Sequence, residues 1–200
     1  MTTTDGRRIR GDQSRAAVMR LAVDIATVEG LEGLSIGTLA AGANLSKSGI
    51  VSLFGTKEQL QLAAIEAARQ VFIDVVVAPA LQVQGGRARL EALLENWIRY
   101  SESRVFTGGC FFAAATAEVA SKPGAVRDAI AAQLGEWDAT IRRVVIRAVE
   151  TGELHPPDDA AQLAFEIRAL LDGANTDSLI SGSPAAYARA RSGLARLLSQ

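Results

Sequence analysis

The sequence contains one cysteine and one histidine among its 200 residues, and this scarcity excludes several kinds of site. A single cysteine cannot form an internal disulfide, and the two residues together cannot build a cysteine–histidine zinc site. The histidine, His155, precedes Pro156-Pro157 in a predicted turn, without the partners of a nucleophilic triad. We therefore expect no metal, no cofactor and no enzymatic activity, and a reduced, cytoplasmic setting.

Long apolar runs are also missing. The longest, from Cys110 to Ala117, is far shorter than the roughly 20 residues that span a bilayer. The first 15 residues are polar and basic and lead into no apolar segment. We therefore expect neither a membrane span nor an export signal.

Strand patterns are scarce, whereas helix-forming residues are abundant. Alanine dominates a composition that is 48% hydrophobic and 22% charged, and there are only 5 prolines. This profile is typical of a well-packed globular protein and favours helices over strands. The predicted fold class is therefore all-α.

The first third of the chain predicts one long helix followed by two short ones. Apolar residues at helical spacing predict a first helix over about 13–29, ended by Gly30 and Gly33. Ser35 and Ser46 are good N-caps for the short helices, and Asn44, which tolerates a left-handed backbone, separates them.

The rest of the chain predicts a long helix and five further ones. Thr56 and Gln59 form a capping box that opens a helix over about 57–77, which we expect Pro79 to end. The later helices are predicted at about 87–103, from about 109, at 125–151 and 159–181, and from near Pro184 to about 198.

Two short helices joined by a tight turn are typical of a helix-turn-helix, whose second helix enters the major groove of DNA. The alternative is a plain three-helix packing unit. Five arginines face only two aspartates in the first 20 residues, which favours a basic arm that contacts phosphate. The candidate DNA-binding residues are Arg7, Arg8, Arg15, Ser35, Ser46, Lys47, Ser48, Gly49, Val51, Ser52 and Lys57.

Residues 15–62 resemble the N-terminal DNA-binding domain of the tetracycline-repressor (TetR) family of bacterial transcription regulators. The matching residues are Ser35, Leu39-Ala40, Ala43-Asn44-Leu45-Ser46, Lys47, Ile50, Phe54, Lys57 and Leu60. The later stretch "TGGCFFAAATAEVASKPGAVRDAI" is similar to a subgroup of the same family. The resemblance implies a homodimeric, ligand-responsive repressor with a double-stranded DNA operator and an all-helical C-terminal domain.

The chain departs from the family pattern at five positions, two of which are Ser52 and Leu53, where the family usually has polar residues or histidine. Val51 stands where the recognition helix usually has tyrosine, Asn44 replaces the usual glycine of the turn, and Gly37 occupies a commonly polar position. A second hypothesis follows, in which this is a helical small-molecule-binding protein with weakened or lost DNA recognition.

Aromatic residues of the second half are candidates either for ordinary core or for the wall of an effector cavity between helices. The candidate ligand-binding residues are Phe72, Trp97, Tyr100, Phe106, Cys110, Phe111, Trp137 and Phe165. Because few ionisable groups are expected on these faces, we predict an apolar or aromatic small molecule. For Cys110, a small buried residue is favoured over a redox sensor.

The last two helices are the predicted homodimer interface, because they carry more apolar residues than one chain's core requires. These residues are Leu163, Phe165, Ile167, Leu170, Leu171, Ala174, Leu179, Ile180, Tyr187, Leu194, Leu197 and Leu198. Small residues at Ala169, Gly173 and Ala174 would let helices approach closely. We expect a DNA-binding domain over residues 1–60 and a ligand-binding and dimerisation domain over 61–200, linked by the long helix that begins near Lys57.

Overall fold

The computed structural model describes the backbone of residues 3–155 and 159–199 and the side chains of 15–155 and 159–199. Every regular element in these ranges is helical, which confirms the all-α prediction. The helices are α1 Thr3–Gly33, α2 Ile36–Ala43, α3 Lys47–Phe54, α4 Lys57–Phe72, α5 Ala78–Leu81, α6 Gly86–Glu102, α7 Phe111–Val119, α8 Ala125–Glu150, α9 Ala160–Ser181 and α10 Ala185–Leu197. None of these helices combines the length and the apolar character that crossing a membrane requires.

Helix α1 begins at Thr3, ten residues before the predicted start, and is interrupted at Gly30. Gly30 has a φ of 79°, and a Cβ at this position would lie 2.6 Å from a carboxylate oxygen of Glu118. That carboxylate accepts hydrogen bonds from the backbone N–H groups of Leu31 (2.6 Å) and Glu32 (2.8 Å). At this break in α1, Glu118 of α7 therefore holds the backbone of Leu31 and Glu32 by hydrogen bonds.

The predicted ends of the short helices are confirmed. The Ser35 hydroxyl accepts the N–H of Thr38 at 3.0 Å, and the Ser46 hydroxyl accepts the N–H of Gly49 at 3.0 Å. Asn44 adopts the left-handed conformation, with a φ of 54°. Helices of eight residues are marginal alone, so these caps, together with apolar packing, fix the two helices relative to each other.

One hydrophobic core runs through the short helices and the rest of the chain. Leu39 of α2, Ile50 of α3 and Leu60 of α4 are fully buried and pack with residues of α1 such as Ala22. The confirmed capping box of Thr56 and Gln59 opens α4 against this core.

The prediction that Pro79 ends the long helix is wrong. A π-helical segment, Ile73–Val77, follows α4 and leads directly into α5, so the helical path ends at Leu81. Pro79 is the second residue of α5 and directly follows the π-helical segment. The side-chain amide of Asn96 donates to the carbonyl of Val76 at 3.1 Å, which satisfies an acceptor in the widened turn.

The five predicted helices after residue 85 are confirmed, with bounds within two residues of those expected. Asp159 caps α9 by accepting the N–H of Ala161 at 2.8 Å. The predicted turn residues Pro156 and Pro157 lie outside the described residues.

A buried polar cluster ties the C-terminal helices to the segment before α7. The side-chain oxygen of Asn175 accepts hydrogen bonds from the Ser101 hydroxyl (2.8 Å) and from the N–H of Cys110 (2.9 Å). The Tyr187 hydroxyl lies 2.8 Å from that of Ser101 and 2.9 Å from that of Ser178. These bonds fix where α7 begins relative to α6, α9 and α10.

Candidate functional site

The outer face of α3 forms the first candidate site. Ile50 and Phe54 anchor the helix in the core. The opposite side is solvent-exposed and carries Lys47, Ser48, Val51 and Ser52, with Val51 50% exposed. The helix contains no acidic residue. It therefore presents a small, partly polar surface with one ammonium group, which suits close approach to a polyanion.

Two of the predicted DNA-binding serines have a structural role in α2 and α3. Ser35 and Ser46 are the N-caps described above, and the hydroxyls of Ser46 and Ser48 lie 3.0 Å apart. A Cβ on Gly49 would lie 3.2 Å from the Ser46 hydroxyl oxygen, so the glycine leaves room for the cap. The candidate surface is thus pre-shaped at its N-terminal end by hydrogen bonds within the chain.

Two predicted phosphate-binding cations are engaged within the chain. The Arg15 guanidinium donates to the carbonyl of Leu53 and lies 4.7 Å above the Phe54 ring. The Lys57 ammonium contacts Glu32 twice, the carboxylate at 2.8 Å and the backbone carbonyl at 2.9 Å. This hydrogen bond from Lys57 lowers the pKa of the Glu32 carboxyl. The side chains of Arg7 and Arg8 lie outside the described residues.

A cavity of about 200 Å³ between α4, α6, α7, α8 and α9 forms the second candidate site. Four of the predicted ligand-binding residues line it: Phe72, Trp97, Cys110 and Trp137. The rings of Phe72 and Trp137 meet edge to face with 5.1 Å between their centroids. Phe112, at the start of α7, adds a fourth aromatic wall.

The other four predicted ligand-binding residues do not line this cavity. Tyr100 and Phe111 are fully buried in the core, where the Tyr100 hydroxyl accepts the N–H of Phe111 at 3.5 Å. Phe106 borders a separate groove between α1 and α4. Phe165 is 55% exposed on α9. The sequence shows that these residues are aromatic, but the rotation of each helix decides which surface they face.

The expectation that few ionisable groups face the cavity is wrong. Its lining includes two arginines and two acids, Arg69, Glu136, Arg168 and Asp172. Arg69 and Glu136 pair at 3.2 Å, and Arg168 lies 3.4 Å from the carboxylate of Asp138. The cavity therefore combines aromatic walls with charged groups.

For the lining residues of α8, a signal was present in the helical spacing. Gln133, Glu136 and Thr140 share one stripe of α8 with Trp137, and all four line the cavity. Arg168 and Asp172 are likewise four residues apart on α9. Following Trp137 along its helix face would have identified the residues of α8, whereas the aromatic residue predicted on α9, Phe165, does not line the cavity and did not indicate Arg168 or Asp172.

Burial changes the acidity of two groups at the cavity. It raises the pKa of the Cys110 thiol to about 12, so the thiol stays protonated at neutral pH. This supports the interpretation of Cys110 as a small buried residue. Burial also raises the pKa of Asp172 to about 6, against the opposing effect of Arg168. At pH 7 and above, Asp172 is therefore mostly ionised.

Helices α4 and α7 both connect the cavity to α1, the helix that precedes the two short ones. The C-terminal end of α4 and the π-helical segment supply Phe72, Ile73 and Val77 to the cavity wall. Earlier in α4, the buried Gln61 amide donates to the carbonyl of Leu31 at 2.6 Å. Helix α7 begins at the cavity and reaches α1 through Glu118. Sequence reasoning did not assign this role to Glu118.

Exposed apolar side chains on α9 identify a third surface. Phe165, Leu179 and Ile180 are exposed, Ile180 by 84%. Several apolar residues that the sequence suggested for the interface are instead buried within the chain: Leu163, Ile167, Leu171, Tyr187, Leu194 and Leu198. Fewer apolar residues than predicted are therefore exposed for a homodimer interface, and the exposed ones of the two helices lie on α9.

The chain is similar to known proteins along most of its length. Residues 86–194 match the model of a family described as "Tetracyclin repressor-like, C-terminal domain". A TetR transcriptional regulator from Chloroflexus aurantiacus J-10-FL has the same fold, with a TM-score of 0.87 at 28% identity over 96% of each chain. The structure of a TetR-family regulator from Cytophaga hutchinsonii aligns with a TM-score of 0.78, at 22% identity over 95% of each chain.

A third structure, AibR in complex with isovaleryl coenzyme A and operator DNA, gives a TM-score of 0.70 at 20% identity. That alignment covers 82% of this chain and 86% of AibR. No curated protein matches the chain.

Proposed function

Since this chain belongs to the tetracycline-repressor (TetR) family of transcriptional regulators, we propose that it is a ligand-responsive repressor. In this proposal a homodimer binds a palindromic operator, and a small molecule in the cavity releases it. The observation that carries the proposal is the orientation of α3. This helix buries Ile50 and Phe54 and exposes a face that contains Lys47 and no acidic residue. The major groove of DNA admits one helix in this orientation.

The residues of α3 have distinct proposed roles. The Lys47 ammonium contacts phosphate or a guanine edge, and the Val51 methyl groups contact a thymine methyl. Ser48 and Ser52 offer hydroxyls, while Gly49 lets the backbone approach. Ser35, Ser46 and the cations Arg15 and Lys57 shape and hold the surface. Arg7 and Arg8, which belong to the first part of α1 and not to an extended arm, supply phosphate contacts.

The proposed dimer forms through α9 and α10. Its core is the exposed apolar group Phe165, Leu179 and Ile180, and exposed Ala169 and Gly173 on the same helix permit close packing. A two-fold axis there would place two copies of α3 on one face of the DNA. We propose that residues 1–60 bind DNA and that residues 61–200 bind the ligand and form the dimer.

Release is proposed to pass through α4 and α7. A ligand displaces Phe72 or Phe112, the helices that carry these residues shift, and the contacts of Gln61 and Glu118 transmit the shift to α1. Two sites are then coupled through one element with two positions. AibR, whose structure was solved with a coenzyme A thioester and operator DNA, has the same fold.

The test is DNA binding by the full-length protein, measured by fluorescence anisotropy with DNA from upstream of its own gene. Lys47→Ala is expected to weaken binding on the order of tenfold and to reduce the salt slope by about one per subunit. Arg147→Ala is the matched control, because Arg147 is an exposed cation on α8, far along the chain from α3. Failure to retain any DNA in a sequence-dependent, salt-sensitive way contradicts the proposal, as does an equal effect of the two variants.

Two observations favour the second candidate, a ligand-binding protein with weakened DNA recognition. Val51 is half exposed where the family pattern has tyrosine, and Arg15 and Lys57 are already engaged within the chain. This candidate predicts that Lys47→Ala has no DNA phenotype while ligand binding is intact.

A further inference from the structure

The charges that line the cavity are not balanced locally. Arg69 is held by Glu136, and Arg168 faces Asp138. Asp172, by contrast, makes no hydrogen bond or ion pair with any other described residue, although it is partly buried. A partly buried carboxylate without a partner is unfavourable for folding. It is therefore a candidate for recognition of a ligand.

The walls around Asp172 have the chemistry that attracts cations. Phe72, Trp97, Phe112 and Trp137 line the same cavity. The face of an aromatic ring attracts a cation, and aromatic side chains recognise substituted ammonium groups in this way. An apolar ligand body and a positive head would both find complementary surfaces here.

We propose that this cavity binds a small organic ammonium ion, with its nitrogen against the Asp172 carboxylate and its carbon groups against the aromatic walls. The proposal rests on the proposed function only in taking this cavity as the effector site. The cavity volume of about 200 Å³ lies below the range of roughly 300–1,000 Å³ typical of drug-sized ligands. The ligand is therefore small, with no more than about one ring.

An organic anion is the main competing ligand, because two arginines also line the cavity. An anion would have to compete with the carboxylates of Glu136 and Asp138 for those arginines. It would also face the negative charge of Asp172 at neutral pH. A cation is attracted by Asp172, and the positive charges of Arg69 and Arg168 that it also meets are offset by their ion pairs with Glu136 and Asp138.

The two tryptophans of the chain, Trp97 and Trp137, both line the cavity, so intrinsic fluorescence reports its occupancy directly. The probe is benzyltrimethylammonium, whose charge does not change with pH. Neopentylbenzene is its neutral counterpart of the same shape, and phenylacetate is the anionic comparison. At pH 7.5 we expect the ammonium ion to bind at least about tenfold more tightly than either.

Two substitutions on the same helix test the role of the carboxylate. Asp172→Asn is expected to remove the preference for the cation, weakening its binding on the order of tenfold or more. Asp177→Asn makes the same chemical change on α9 at an exposed residue outside the cavity and is expected to have no effect. Circular dichroism checks that both variants fold.

The pH dependence of ligand binding is an independent test of the role of Asp172. Since the pKa of Asp172 is about 6, binding of benzyltrimethylammonium should weaken roughly tenfold from pH 7.5 to pH 5. The same dependence should be absent in Asp172→Asn. That variant retains the other charged or titratable groups of the surrounding elements, which are Arg69, Tyr100, Cys110, Glu136, Asp138 and Arg168.

Equal binding of the neutral and cationic probes overturns the proposal, as does tighter binding of phenylacetate or an Asp172→Asn variant that binds the cation normally. No binding of any probe also overturns it. These results do not depend on DNA. Operator binding without ammonium binding contradicts the ligand class alone, and ammonium binding without DNA binding contradicts the repressor function alone.

Discussion

Replacing Asp172 by asparagine should make the protein more stable at neutral pH. The substitution keeps the shape of the side chain and removes a charge that is partly buried without a partner. Because burial raises the pKa of Asp172 in the folded state, folding disfavours the ionised form. A residue that lowers stability in this way is typical of a functional site.

The magnitude follows from the acidities of the folded and unfolded states. The pKa of Asp172 rises from 3.8 in the unfolded chain to about 6 in the folded protein. At 1.36 kcal/mol for each tenfold change in acidity, ionised Asp172 costs at most about 3 kcal/mol. Since the side chain is partly exposed, we expect a gain of about 1–3 kcal/mol.

The stability difference between Asp172→Asn and wild type depends on pH in a defined way. Above pH 6 the folded protein holds an ionised Asp172, so the penalty is fully present. As the pH falls from 6 towards 3.8, the folded state takes up a proton that the unfolded state does not, and the penalty disappears. The advantage of Asp172→Asn over wild type should therefore shrink over this window.

Urea unfolding of wild type and variant at pH 7.5, 6 and 4.5 measures this difference. Asp177→Asn, on the exposed side of the same helix, serves as the control and should show no such pH-dependent gain. The reasoning is refuted if Asp172→Asn is no more stable than wild type at pH 7.5. It is also refuted if the difference between them is the same at every pH.

Four further substitutions test the packing of the chain. Glu118→Gln should weaken the hold on the N–H of Leu31, lowering stability by about 1–2 kcal/mol and accelerating hydrogen exchange there. Tyr187→Phe removes a hydroxyl from a buried cluster and should lower the free energy of unfolding in urea by about 1–3 kcal/mol. Gly108→Ala would place a Cβ 2.0 Å from a backbone oxygen, so thermal melts should show a loss of roughly 2 kcal/mol or more. Gly135→Ala, whose Cβ would meet nothing within 4 Å beyond its own helix backbone and chain neighbours, should instead gain about 0.5–1 kcal/mol in the same melts. The opposite signs of the two alanine substitutions are the decisive comparison.

The helix ends were predictable from the sequence because they depend on local chemistry. Ser35, Ser46 and Thr56 cap helices through atoms only three residues away. Asn44 reverses the chain by its own backbone conformation. No knowledge of the tertiary structure is needed for such contacts.

The cavity was less predictable because it depends on how distant helices rotate against one another. Composition identified Trp97 and Trp137 as candidates, yet it also suggested Phe165, which faces outward. Asp172 was missed because an acid near the middle of a helix gives no sign of its burial. The continuation of the helical path past Pro79 was missed as well, and one carbonyl there, that of Val76, is paired by Asn96 of the next long helix.

The central claim, that a symmetric dimer reads DNA through α3, is tested most directly by selection from a pool of random double-stranded DNA. We predict that the full-length protein enriches a palindrome whose half-sites lie about one helical turn apart, or a multiple of it. The enrichment should be lost with Lys47→Ala. Recovery of no enriched sequence, or of one without two-fold symmetry, would contradict the claim.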